Sequence, residues 1–333
     1  MKFGLKLWRI GLPLVLLVLA ASVTVAWWLH RPLGLSAQSI EITVAPGASA
    51  RDVAQACVSA GVQTSPLLLT QWFRFSGQAR KIRAGTFAVA RATTPIELLA
   101  ILVRGEEKLA LVKLQEGWTF HQFRAELAMA EALKPTTAMM SDAEVMAQLG
   151  APGLAPEGRF FPDTYAYSRG STDLAILKQA FRTMQQRLES AWNERASDTP
   201  LRNPDDVLTL ASIIEKETGA AAERGRVAGV FVNRLRIGMP LQTDPTVIYG
   251  LGNKFDGNLR KRDLLSDTPY NTYTRAGLPP TPISMPGWQS LLAAVRPDET
   301  KAIYFVARGD GSSHFSETLA EHNRAVNQYQ RRK

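Results

Sequence analysis

The 333-residue chain carries 39 basic and 30 acidic side chains, a formal net charge of +9, and is 45% hydrophobic and 21% charged. That length allows two or three domains, and that composition excludes global disorder. The basic excess favours an anionic partner (a lipid surface, an acidic polymer or nucleic acid) without choosing among them.

A single cysteine, Cys57, excludes an intramolecular disulfide. It sits in the apolar pattern Val53, Ala54, Cys57, Val58 and reads as a small core residue. The four histidines are scattered and no HExxH or CxxC spacing occurs, so neither a metal site nor a cofactor is expected.

Ile10 to Leu29 is 20 residues without a charge. As a helix it measures about 30 Å, the thickness of a bilayer core. Trp8, Trp27 and Trp28 stand at its ends, where interfacial aromatics belong, and Lys2, Lys6 and Arg9 precede it. The basic residues predict a cytoplasmic tail (1–9), a transmembrane helix (10–29) and export of everything after it. A cleaved signal peptide is the alternative; "TVAWWLHRP" is a poor small-residue cleavage site, which favours an uncleaved anchor. Export also disfavours nucleic acid as the partner of the basic surface.

After the anchor, "EITVAPGASARDVAQACVSAG" (41–61) reads as strand, Pro-Gly turn and helix, with Ser49 as N-cap and Asp52 at N3. Seventy residues on, "LVKLQEGWTFHQFRAELAMAE" (111–131) repeats the plan. Gly117 stands for Gly47, Thr119 for Ser49, Phe123 for Val53 and Leu127 for Cys57. Between them, 84–106 is a strand and a helix capped by Thr94, with Pro95 at N1, Glu97 at N3 and Gly105 at its end. Residues 41–106 thus form a small β-α-β-α module that resembles the LysM-like kind, within a segment 40–108. Binding of N-acetylglucosamine polymers and a plain spacing role are both open for it.

An intermediate α/β region (109–206) contains the Pro/Gly-rich stretch "APGLAPEGRFFPDTYAYSRGST" and a helix over 172–196. Its Leu174, Leu177, Phe181, Met184 and Leu188 make a core-facing stripe. The region 207–333 holds the candidate chemistry. In "LASIIEKETG" (210–219), with Leu210 at 0° on a helical wheel, Ile213 falls near 300° and Ile214 near 40°. Glu217 falls near 340°, inside that stripe, and Glu215 near 140°, outside it. An interior Glu217 would hold its proton near neutrality, as a general acid must; a solvated helix end is the alternative. Glu215 reads as a surface residue, or as a partner for Lys216 or Arg226.

The next helix, 221–238, has Val227, Val230, Phe231 and Leu235 as its apolar face and Gly238 as its stop, with Asn233 and Arg234 off that face. A loop over 240–252 carries Gln242, Thr243, Asp244 and Tyr249. The proline-stiffened stretch 269–287 carries Tyr270, Asn271, Tyr273 and Thr274. Amides, hydroxyls and rings on stiff loops suit an extended sugar chain, although any one of them also serves as an ordinary turn residue.

The blocks "ASIIEKET", "RVAGVFVNRLRIGMPLQTDPTVIYGLG", "YNTYTRAGLPPTPIS" and "YFVARGDGSSHFSETLAEHN", with "EGRFFPDTY" before them, resemble the signature blocks of the endolytic murein transglycosylase (YceG-like) family. The resemblance implies an enzyme of the inner membrane, with its catalytic region outside the cytoplasm. Such an enzyme cuts nascent peptidoglycan glycan strands internally and leaves 1,6-anhydro-N-acetylmuramic acid ends. It places the catalytic glutamate at the second acid of E-K-E, Glu217. The loop chemistry makes Gln242, Thr243, Asp244, Tyr249, Asn271, Tyr273 and Asn233 candidate substrate contacts, and peptidoglycan synthases are candidate partners. The spacing from Glu217 to Asn233-Arg234 also resembles the core of spore-cortex-lytic enzymes.

The expected fold is therefore α+β: a single N-terminal transmembrane helix, a LysM-like α/β module, and a mixed catalytic domain with a lysozyme-like helical subdomain. Two other functions stay open: a hydrolytic muramidase using Glu217 with Asp244, and a non-enzymatic anchored wall-binding protein.

Overall fold

The computed structural model describes residues 4–105 and 108–330, with side chains from residue 16 onward. The chain separates into two compact units. One holds the residues up to Ala110 with Tyr167–Arg169; the other holds Leu111–Ala166 and the chain from Gly170 on. The fold is mixed α+β, mostly helical, and its described sheets are small two-stranded ones.

In the first unit, α1 (Gly4–His30) leads into β1 (Gly34–Leu35), β2 (Ser39–Val44), α2 (Ala50–Ser59), β3 (Val62–Gln63), α3 (Pro66–Phe75), β4 (Gly85–Ala90) and α4 (Pro95–Arg104). The span expected over 10–29 lies along α1, partly on side chains outside the described residues. Among the described residues no helix is long and apolar enough to cross a membrane. The described part of α1 leaves Leu16, Leu17, Leu19, Val23 and Trp27 exposed.

β2 pairs antiparallel with β4, Ile42 opposite Phe87, and β1 with β3. Ile40, Ile42 and Val44 alternate inward along β2 and pack with Val53, Cys57, Leu98 and Leu102 from α2 and α4. Cys57 is wholly buried, and burial pushes its thiol up to about 12, so it stays an inert core thiol. The strand–helix order of 41–106 is present, with an addition: α3 stands between the two halves and contributes Leu69 and Phe73 to the core. Its start, Pro66 after Ser65, is an ordinary helix signal that the β-α-β-α reading passes over.

The second unit contains all but the first residue of β5 (Ala110–Lys113), α5 (Phe120–Met129), α6 (Asp142–Gln148), all but the last residue of β6 (Thr164–Tyr167), α7 (Asp173–Asn193), α8 (Pro204–Glu217), α9 (Arg224–Arg236) and α10 (Asp244–Leu251). α11 (Lys261–Leu265), α12 (Trp288–Val295), β7 (Tyr304–Ala307), β8 (Ser313–Ser316) and α13 (Leu319–Tyr329) complete it. β5 pairs with β6, and β7 antiparallel with β8. The internal repeat is visible in detail. Gly47 and Gly117 both take left-handed φ (76° and 75°). Ser49/Asp52 and Thr119/Gln122 both close capping boxes. Thr94/Glu97 closes another, and Gly105 ends α4 at φ 73°.

The core of this unit is built around α8, which packs on α12, α7, α9 and α10. Asn203 caps α8 and Pro204 begins it; every residue from Val207 to Ile214 is buried. The expected stripe on α7 is present, with Leu177, Phe181, Met184 and Leu188 buried and Leu174 half-buried.

Candidate active site

α8 delivers Glu217 as its last residue, at the point where the buried helix meets the surface. Glu217 is half-buried, so a ligand can reach it. Its Oε1 accepts a short hydrogen bond from the hydroxyl of Thr243, the N-cap residue of α10. Burial raises the Glu217 carboxyl above the ordinary carboxylate range, and the neighbouring Asp244 raises it further. The Thr243 bond and the Arg234 charge pull the other way.

Glu215, which the wheel places on the surface, is enclosed. Its side chain is 8% exposed and lies 3.9 Å from Arg224, not paired with Lys216 or Arg226. Its Oε2 accepts from the Gly287 N–H at 2.9 Å and from the Ser290 hydroxyl at 2.7 Å. The reason is that α8 is covered on all sides, so helical phase no longer separates inside from outside. The two carboxylates still differ: Glu215 ties α8 to the start of α12, while Glu217 faces the 243–244 turn.

The loop expected over 240–252 is largely helical: α10 starts at Asp244, with Pro245 in its first turn, and runs to Leu251. Before it, Gln242 holds φ at 49°, a left-handed backbone that non-glycine residues rarely adopt. Its neighbours enforce it. The Gln242 N–H donates to the Thr272 carbonyl at 3.0 Å, and the Thr243 N–H donates to the Thr272 hydroxyl at 3.1 Å. The Leu241 carbonyl takes the Arg234 guanidinium at 2.6 Å. Strain of this kind persists where surrounding structure over-determines it, commonly at binding sites.

Gln242 and Asp244 are exposed. Asp244 accepts from the Tyr273 hydroxyl at 2.5 Å. Burial, and then that carboxylate, raise the Tyr273 phenol above its ordinary value. Thr243, Asp244 and Tyr273 thus gather at Glu217, beside the exposed Gln242. Asn271 is buried instead; its amide donates to the carbonyls of Asp263, Leu264 and Ser266. The Asn233 amide donates to the carbonyls of Thr300 and Ala302, at 2.7 and 3.1 Å. Both side chains hold backbone.

Two residues at the site escaped the pattern reading. Arg234, which the sequence pattern sets off the apolar face of α9, is buried. With Val227 at 0°, it falls near 340°, between Val230 and Phe231, so the wheel itself marks it as interior. Besides Leu241 it holds the Ile303 carbonyl at 2.7 Å. Glu157, inside "EGRFFPDTY", is a second buried carboxyl, pushed up to about 7 by burial. Its signal was an acid amid Pro, Gly and Phe, a place where a solvated carboxylate would be out of company.

A model of the YceG-like family matches residues 42–328. The endolytic murein transglycosylase of Bacillus subtilis (strain 168) is 42% identical over 174 residues, 52% of this chain and 48% of that protein. The endolytic murein transglycosylase of Streptococcus pneumoniae (serotype 2, strain D39) is 24% identical over 324 residues, 87% of this chain and 58% of that protein. The chain therefore spans about half the length of the curated relatives it matches. A crystal structure of a yceG-like protein from Listeria monocytogenes aligns with a TM-score of 0.55 and 26% identity, over 86% of this chain and 98% of that one.

Proposed function

We propose that this chain, which belongs to the YceG-like family, is an endolytic lytic transglycosylase that cuts peptidoglycan glycan strands with Glu217 as its acid and base. The relatives' shared name supports the activity. The observation that carries the assignment of Glu217 is its seat at the end of a buried helix, raised in pKa and held by one hydroxyl.

Ordinary glycosidases flank the scissile bond with two carboxylates. Here one suffices. Protonated Glu217 gives its proton to the glycosidic oxygen between N-acetylmuramic acid and N-acetylglucosamine, and that bond breaks. The resulting carboxylate takes the proton of the muramoyl C6 hydroxyl as its oxygen bonds to C1, closing the 1,6-anhydro ring and restoring the acid. No water is consumed. The nucleophile belongs to the substrate, and such intramolecular attack has effective molarities of about 10⁵ M or more. Thr243 occupies Oε1, which leaves Oε2 to exchange the proton. Gln242 and Tyr273 are the proposed glycan contacts; the Tyr249 hydroxyl is taken by Glu157 instead.

α1 anchors the chain in the cytoplasmic membrane, with everything after it outside the cytoplasm; the exposed apolar side chains along 16–27 support this reading. Residues 40–108 act as a LysM-like module and the helices around α8 as a lysozyme-like core. Placed at the membrane, the enzyme would meet strands as synthases extend them and so terminate elongation.

Glu217→Gln on intact sacculi tests the function. Wild type releases fragments with anhydro ends, 18 mass units lighter than hydrolytic products by loss of one water, and the variant releases none. Reducing ends would instead indicate a hydrolase using Asp244. Cleavage by the variant, or none by wild type, removes the assignment.

A further inference from the structure

The cleavage scheme makes no use of the buried Glu157, yet that residue is joined to the site through one short helix. Glu157 is 6% exposed. Its Oε1 accepts from the N–H of Phe120, the first residue of α5, at 3.0 Å. Its Oε2 accepts from the Tyr249 hydroxyl at 3.1 Å. Tyr249 lies in the second turn of α10, its ring edge-on to Tyr270 with centroids 5.0 Å apart. At the other end of α10 the N-cap hydroxyl of Thr243 is bonded to Glu217. Thr246 fastens that end again, to the Thr243 carbonyl and the Thr272 hydroxyl, each at 2.8 Å.

An eight-residue helix is too short to hold itself in place and depends on its tertiary contacts. Burying a carboxyl for packing alone is a poor solution, because an apolar side chain of the same volume fills such a site at lower cost. Capping the Phe120 N–H explains one oxygen of Glu157 and leaves the other, on Tyr249, unexplained.

We propose that Glu157 is a positioning residue for the cleavage reaction: through the Tyr249 hydroxyl it fixes α10, and α10 fixes Thr243 against the catalytic carboxyl. This rests on Glu217 being the acid. The consequence is a coupling between two residues that do not touch. Releasing Tyr249 lets the Thr243 bond lengthen, and a weaker Thr243 bond lets the Glu217 carboxyl rise further. The alkaline limb of the rate profile, set by loss of the Glu217 proton, then moves to higher pH, while misplacement of the acid lowers kcat.

The experiment compares Tyr249→Phe, Glu157→Ala, Glu157→Gln and Thr243→Val in the full chain. It follows the Glu217 carboxyl by ¹³C titration, assigned with Glu217→Gln, and measures kcat and KM on glycan strands. Tyr249→Phe keeps the ring and leaves the bond to Phe120 untouched. We expect Tyr249→Phe and Glu157→Ala to raise the Glu217 titration in the same direction as Thr243→Val. Both lower kcat about tenfold with KM within about twofold. Glu157→Gln, whose amide still bridges Phe120 and Tyr249, recovers most of the rate. An unmoved Glu217 titration in Tyr249→Phe overturns the proposal, whether or not kcat or thermal stability falls. If wild type cleaves no strands, the functional reading fails while the titration still decides the coupling.

Discussion

At the residue scale, Glu217 combines exposure to a ligand with a raised pKa, and that combination has a price in stability. A carboxyl raised above its unfolded value favours folding below the unfolded pKa, and that contribution is lost as pH rises through the folded value. Glutamine does not titrate and keeps the shape. Glu217→Gln is therefore expected to melt above wild type at pH 8, with the gap closing towards pH 4; calorimetry across that range checks it. A variant that melts below wild type at pH 8 would mean that the carboxylate is well solvated in the folded state. Arg234 acts in the opposite sense. Its guanidinium lowers the Glu217 pKa and satisfies two buried carbonyls, those of Leu241 and Ile303. Arg234→Met leaves both without it and is expected to destabilise by about 2–4 kcal/mol, read from denaturant midpoints. The surviving activity should persist to higher pH than in wild type.

At the element scale, stiff loops do two separate jobs. Thr243, Asp244 and Tyr273 gather at Glu217, whereas Asn271 closes the end of α11 through three carbonyls. Asn271→Ala should thus cost about 2–4 kcal/mol of stability and leave kcat per folded molecule unchanged. A loss of kcat without a loss of stability would give Asn271 a substrate role instead. Much of this level was legible in the sequence, because caps and turns are local chemistry. Ser49, Thr94 and Thr119 announce their helices, and Gly105, Gly117 and Gly238 take the positive φ that their positions suggest. The site was legible in part. The wheel puts Glu217 inside the apolar stripe of α8 and Glu215 outside it, yet Glu215 is enclosed, and Arg234 shows the same limit. Once a helix is enclosed on every side, or a cation is satisfied by distant carbonyls, burial is decided by tertiary partners that no window of sequence contains. Glu157 is the same case, since the residues that hold it, Phe120 and Tyr249, stand 37 and 92 positions away.

At the scale of the whole molecule, the net charge of +9 and the apolar α1 act together. α1 exposes Leu16, Leu17, Leu19, Val23 and Trp27, and its end is not independent of the first unit, because Trp28 packs against that unit's core. Were the chain anchored through α1 as proposed, its basic side chains would be held close to anionic headgroups, each nearby Lys or Arg contributing about 1 kcal/mol within a Debye length. Two modes of attachment predict different responses to salt. A helix that spans the bilayer stays with membranes through washing at 1 M salt and at alkaline pH, since burial of apolar side chains in lipid is not screened. Attachment by charge alone is lost well below that salt. We expect the full chain to remain in the pellet under both washes. A chain lacking residues 1–26, which keeps Trp28 on its core, should sediment with anionic vesicles at low salt and leave them as salt rises. Release of the full chain by salt alone would leave the charge, and not α1, as what holds this protein to a membrane.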